Sequence, residues 1–160
     1  MYFLLLFSRS LRHHERIFQS YYLNMPTSTA IYSGDLRTQS VHTQSGETYI
    51  TDAPTDNQGK GAGFSPTDLV ATALANCMLT IMGIVSNRNG LAIEGTEAKI
   101  DKFMGTEPRR ITEIKIDFYF PMNFSNDERM LLEKAAINCP VAKSLSSDLQ
   151  QNIEFHYPSS

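Results

Sequence analysis

Cysteine is scarce in this chain: two residues among 160, Cys77 and Cys139. Two are too few for the disulfide framework of a secreted domain of this length, and their separation excludes a CxxC motif. A reducing, cytoplasmic setting is expected, in which any disulfide is a reaction intermediate and not a staple. Basic charge is short as well. Fourteen Lys and Arg stand against seventeen Asp and Glu, a formal net charge of -3, with no basic run and no ladder of aromatics and arginines, so nucleic acid is not an expected partner. The apolar run Tyr2 to Phe7 is too short to span a membrane, and no basic residue precedes it as a signal peptide requires. Residues 1–24 read as a peripheral extension ahead of one domain over 25–160, with a membrane-surface amphipathic helix as the alternative. The loop Ala53 to Phe64 is rich in glycine, but Gly59-Lys60-Gly61 is not followed by Ser or Thr and the spacing of a P-loop is missing, which argues against nucleotide. His42 and His156 stand apart from any ligand-spaced partner, so no metal is expected.

What the chain does have is one stretch, Phe64 to Gly90, that states its own limits. Ser65 suits an N-cap, Pro66 the first helical position, and Asp68 completes a capping box at the positive end of the helix dipole. Asn89-Gly90 supplies the stop and Arg88 a cation in the last turn. Between Leu69 and Val85 there is no charge, and a helix apolar nearly all round is expected to be buried nearly all round. Cys77 lies at its middle, on a face with Val70, Ala73, Leu74, Ile81 and Ile84. A domain of this size rarely encloses such a helix alone, so a partner subunit is expected to cover part of it.

Around this helix the pattern predicts strands. Ile31 to His42 and Glu47 to Asp52 read as two extended segments joined at Gln44-Ser45-Gly46, with a bulge at Gly34 and Arg37 on the first strand. Ile93 to Met104 and Arg110 to Phe120 read as a pair around Gly105-Thr106-Glu107-Pro108. In the second of these, Ile114, Ile116, Phe118 and Phe120 share a face by strict alternation. Ser125-Asn126-Asp127-Glu128 is a second capping box, opening a helix through Cys139 with Leu132, Ala135 and Ala136 on its inner face. Pro140 disfavours helical geometry at Cys139, so the helix should kink or restart there. A restart over Pro140 to Leu145 would place Cys139 at a helix N-terminus, where a thiolate is stabilised. Asn152 to Tyr157 closes an α+β order of β-β-α-β-β-α-β.

Free cysteine usually packs as a small buried hydrophobe. Here, however, the motifs GFSPTDLVATALANCM and INCPVAKSL, in this order with two strands between them, resemble the two cysteine motifs of the OsmC/Ohr family. The resemblance runs from about Thr29 to the C-terminus. Members are thiol-dependent peroxidases that reduce organic hydroperoxides and hydrogen peroxide without metal or organic cofactor. The resemblance implies an intertwined homodimer with two long central helices wrapped by antiparallel sheets, both subunits contributing to each active site. It assigns Cys77 as the peroxidatic cysteine, which becomes a sulfenic acid, and Cys139 as the resolving one. A small or protein-bound dithiol then reduces the disulfide. The thiolate needs a cation, and by position the family's arginine matches Arg37, with Arg109 and Arg110 as alternatives. The chain departs from the organic hydroperoxide resistance branch at Thr67, where that branch carries the glutamate that holds the arginine. The acid stands one residue later, at Asp68, turned by about 100° on a regular helix. Asp68 either orients Arg37 or caps its helix. The competing reading is a non-enzymatic dimer that binds a small apolar ligand, its cysteines serving as packing.

Overall fold

The computed structural model describes residues 25–159, which fall into two compact units divided after Gly63. Residues 1–24, and with them the expected extension, lie outside the described residues.

The first unit is an antiparallel meander of β1 (Ser28–Gly34), β2 (Arg37–His42) and β3 (Thr48–Asp52), in that order. The sequence pattern suggested one segment from Ile31 to His42, yet the chain reverses between Gly34 and Arg37. Asp35 and Leu36 both take positive φ, 51° and 59°. Two consecutive left-handed residues make the tight hairpin that matches strand twist, and the register shift expected at Gly34 falls between Tyr32 and Gly34. The turn is concealed because an aliphatic residue such as Leu36 rarely adopts positive φ. Beyond β3, a short turn at Thr55–Asn57 leads to Gly59. A Cβ there would lie 1.6 Å from the Ala53 carbonyl oxygen, so only glycine allows the loop to close on itself.

The second unit is built on α1 (Pro66–Asn89). Its start is fixed twice over: Ser65 Oγ accepts from the Asp68 N–H at 3.1 Å, and Asp68 Oδ2 accepts from the Ser65 N–H at 2.8 Å. Gly90, at φ 66°, ends it. Ala71, Leu74, Ala75, Met78, Met82 and Ser86 form the buried stripe. The expectation of burial all round is not met within one chain. Val70 and Ile84, on the far side, remain 38% and 41% exposed, because this unit packs against α1 from one side only.

That side is a sheet of order β4-β5-β6 (Glu97–Thr106, Arg109–Tyr119, Gln150–His156), together with α2 (Asn126–Ile137) and α3 (Pro140–Ser144). The predicted alternation on β5 holds: Ile114, Ile116 and Phe118 are fully buried, and Phe120 just beyond the strand is nearly so. Burying side chains of this size stabilises by about 1.5–3 kcal/mol each. β4 and β5 pair antiparallel, but β6 lies parallel to β5, with Ile116 beside Ile153 and Phe118 beside Phe155. The sheet is therefore mixed and not antiparallel throughout. The two helices between the strands return the chain to the starting end of the sheet, as a parallel pair requires. α2 begins at the expected capping box but ends at Ile137, two residues short of Cys139. The restart at Pro140 makes α3 a separate helix. Leu132, Ala136 and Cys139 close the core over Leu74, Met78 and Met82. The whole is a mixed α+β fold with one more strand than the sequence pattern suggested.

Candidate active site

The break in helical geometry that Pro140 imposes is what presents the second cysteine. Cys139 is the N-cap of α3, with extended backbone at φ -63° and ψ 151° and Pro140 in the first turn. Its Sγ accepts a hydrogen bond from the Ala142 N–H at 3.3 Å. The side chain is fully buried. Cys77, half-buried at the middle of α1, meets it where α1 packs against α2 and α3. Cys77 packs against the cluster that contains Cys139, near enough for its sulfur to act on the ionisation of Cys139. Burial pushes the Cys139 thiol up, the Ala142 N–H draws it back in part, and the Cys77 sulfur raises it again. Cys139 therefore keeps its proton at neutral pH. Two thiols held in this way can give up two electrons together as a disulfide.

At the start of α1 a second constellation gathers around a lysine. Lys102 Nζ reaches Asp68 Oδ1 at 2.7 Å, Thr67 Oγ1 at 2.8 Å and Ser65 Oγ at 3.5 Å. Both Asp68 oxygens are thus engaged, one by the cap and one by Lys102. Of the two roles left open for Asp68, the cap is present, and the cation it holds is Lys102. Burial resists ionisation of Asp68, but the hydrogen bonds from Lys102 and Ser65 outweigh it and keep the carboxyl below its ordinary range. Sequence reasoning passed over Lys102, although a signal was there. Ala98, Ile100, Lys102 and Met104 occupy the inward positions of β4, and a charge at such a position requires a partner.

Arg37 opens β2 in the first unit, where its ladder partner on β3 is Asp52. Arg37 Nη2 lies 3.5 Å from Asp52 Oδ2, the oxygen that also accepts the Ala62 N–H at 2.9 Å. Asp52 is 2% exposed. The Ala62 N–H, against the opposing effect of burial and with help from Arg37, holds its carboxyl below the usual value. Arg37 Nε and Asp52 Oδ1 have no hydrogen-bond partner among the described residues. Asp52 was not foreseen as the acid facing Arg37. In the second unit, Arg109 and Arg110 sit at the β4–β5 hairpin opposite Thr106 and Gly105, and Arg110 Nη1 donates to the Asp148 carbonyl at 3.4 Å.

One of the two histidine readings also needs correction. His42 Nδ1 shares a hydrogen bond with Ser45 Oγ at 2.7 Å. His156, read as isolated, lies beside Glu154, two positions away on the same face of β6, and beside Asp117, which long sequence separation and an adjacent parallel strand kept out of view.

A protein-family model described as OsmC-like protein matches residues 59–154. Among solved structures, the chain is 47% identical to a provisionally named osmotic stress induced and detoxification response protein from Psychrobacter arcticus. That likeness covers 83% of this chain and 97% of that one, with a TM-score of 0.81. It shares its fold with an organic hydroperoxide resistance protein OsmC from Legionella pneumophila, at 15% identity, TM-score 0.64 and coverage of 83% and 97%. The organic hydroperoxide resistance protein OhrB of Bacillus subtilis is similar at 15% identity, TM-score 0.59 and coverage of 84% and 99%. No protein of curated function matches the chain.

Proposed function

The chain belongs to the OsmC-like family, and on that premise we propose that it is a thiol peroxidase acting on organic hydroperoxides or hydrogen peroxide. One observation carries the reading: a half-buried thiol and a fully buried thiol, remote in sequence, pack in one cluster near enough for the first to act on the ionisation of the second. Solved relatives of the same fold named organic hydroperoxide resistance proteins support it.

Cys77, the more accessible sulfur, attacks as the thiolate. Its electron pair forms an S–O bond to the terminal peroxide oxygen, the O–O bond breaks, and the departing alkoxide or hydroxide takes a proton to leave as alcohol or water. The Cys77 sulfenic acid then condenses with Cys139. The S–S bond forms, and the sulfenic hydroxyl leaves as water with the proton that Cys139 retained. A small or protein-bound dithiol returns both cysteines to thiols and is itself oxidised. Apolar neighbours of Cys77, among them Leu74, Met78 and Ile81, favour a peroxide with an apolar body. Arg37 is the cation that the resemblance assigns to the thiolate. The open face of α1, with Val70 and Ile84, suits a second copy of the chain, and a cytoplasmic, reducing compartment suits the recycling step.

The test is a count of free thiols during peroxide addition. The parent chain should lose two per chain, and Cys139→Ser should lose one and stop at the sulfenic acid. Unchanged peroxide consumption by Cys77→Ser, with a dithiol as donor, would sink the proposal. A monomer by light scattering at micromolar concentration would remove the dimer from it.

A further inference from the structure

The outer face of the β4-β5-β6 sheet, opposite the core and the thiol pair, carries a cluster that the peroxidase chemistry does not use. The parallel register sets Asp117 beside Glu154 and Tyr119 beside His156. Like charges directly opposite each other on neighbouring strands destabilise a sheet, a repulsion that Lys115 already offsets in part. The side chains converge on one point. His156 Nε2 lies 2.8 Å from Asp117 Oδ1 and 3.9 Å from Glu154 Oε2, and one donor atom from each of the three falls within 4.8 Å of the others.

We propose that Asp117, Glu154 and His156 form a binding site for a divalent transition-metal ion of the zinc type. One imidazole nitrogen and two carboxylate oxygens make a donor set that such ions accept, and three protein ligands leave a position for water. Two of the three donor separations need only a small adjustment. Tetrahedral bonds of about 2.0–2.2 Å separate neighbouring donor atoms by about 3.3–3.5 Å. The His156–Asp117 contact would open, and the His156–Glu154 contact would close, by about half an ångström each from their present distances. The imidazole is already fixed in plane by stacking on Tyr119, centroids 4.6 Å apart. Glu154 is half exposed, which gives an ion a path from solvent, while Asp117 is largely sheltered.

The surrounding charge has the right sign. The neighbouring positions of this face hold Glu97, Lys99, Asp101, Glu113 and Lys115. With Asp117 and Glu154 included, acids outnumber bases. Lys115 is the competitor. Its Nζ lies 3.2 Å from Asp117 Oδ2, which leaves Oδ1 to the ion as a single donor and sets a positive charge nearby. Affinity is therefore limited by Lys115, and removal of that ammonium should tighten the site.

The experiment is calorimetric titration of the full chain with Zn²⁺, read by difference because thiols and the His13-His14 pair are also zinc-ligand side chains. His156→Gln and Asp117→Asn should each weaken one zinc-binding event by at least about tenfold, and Lys115→Met should strengthen that event severalfold. In parent chain labelled with ¹⁵N, the His156 imidazole resonances should move on zinc addition, a readout that does not depend on any variant folding. Equal zinc binding by the parent and His156→Gln, or His156 resonances unmoved at saturating zinc, overturns the site. Zinc binding by Lys115→Met that is no tighter than the parent's overturns the assigned competition.

Discussion

Breaking the Lys102–Asp68 pair from its two ends should have unequal effects, because the lysine side chain is 14% exposed and the acid 40%. In Lys102→Met the carboxylate turns to water and still caps the Ser65 N–H, while methionine fills the space under β4. The loss should fall at the low end of the about 1.5–3 kcal/mol typical of a charged hydrogen bond. In Asp68→Asn the ammonium is left with two neutral hydroxyls, Thr67 and Ser65, in a place with little water. Breaking a buried pair from one side costs about 3–5 kcal/mol, and the partial exposure here brings the expected loss to about 3 kcal/mol. In the double variant no charge is stranded, so it should be more stable than Asp68→Asn alone, which requires a coupling larger than the Lys102→Met loss, about 2 kcal/mol. Urea unfolding at one fixed protein concentration measures all four species. Equal losses from the two single variants, or strictly additive losses in the double one, would refute the reasoning. The pH dependence gives an independent check. The Asp68 carboxyl titrates lower in the folded chain than in the unfolded one. Its contribution is therefore complete above the unfolded value of about 3.9 and is lost as pH falls through the folded value. The coupling should be the same at neutral and mildly acidic pH and vanish only in stronger acid.

Cys139, buried and raised above the ordinary thiol range, should resist iodoacetamide at pH 8 while Cys77 is alkylated, as followed by peptide mass spectrometry; equal labelling rates would contradict the assigned asymmetry. Ser125→Ala removes one half of the α2 capping box, in which Ser125 Oγ accepts from the Glu128 N–H at 3.4 Å. It should lower stability by about 1 kcal/mol in the same urea assay, and a loss beyond the range known for caps would indicate a further role for the hydroxyl.

The sequence disclosed those elements whose determinants are local. Both capping boxes, the glycine stop at Gly90 and the alternation on β5 are written in residues three or fewer positions apart, and all appear where expected. The restart at Pro140 was equally legible, since proline restricts the residue before it. The hairpin at Asp35-Leu36 was hidden because a leucine in left-handed conformation overrides its own preference. Pairings across strands were out of reach. That Asp52 meets Arg37 and that His156 meets Asp117 depends on register, and that Lys102 meets Asp68 depends on how α1 packs on β4, none of which a single segment encodes. For the cysteines, the family motifs identified the two sulfurs, but their proximity comes from the packing of α1 against α2 and α3.

The direction of β6 bears on how the second unit is assembled. β4 and β5 can zip together about their own turn as soon as both have left the ribosome. β5 and β6 have all of α2 and α3 strung between them, and that loop closure must precede any gain from their ladder. Until the final strand docks, Ile116 and Phe118 lack their neighbours Ile153 and Phe155, and the newborn chain exposes a sticky sheet edge. Translation speed and chaperone supply should therefore matter most while the segment from Asn126 to His156 is being synthesised.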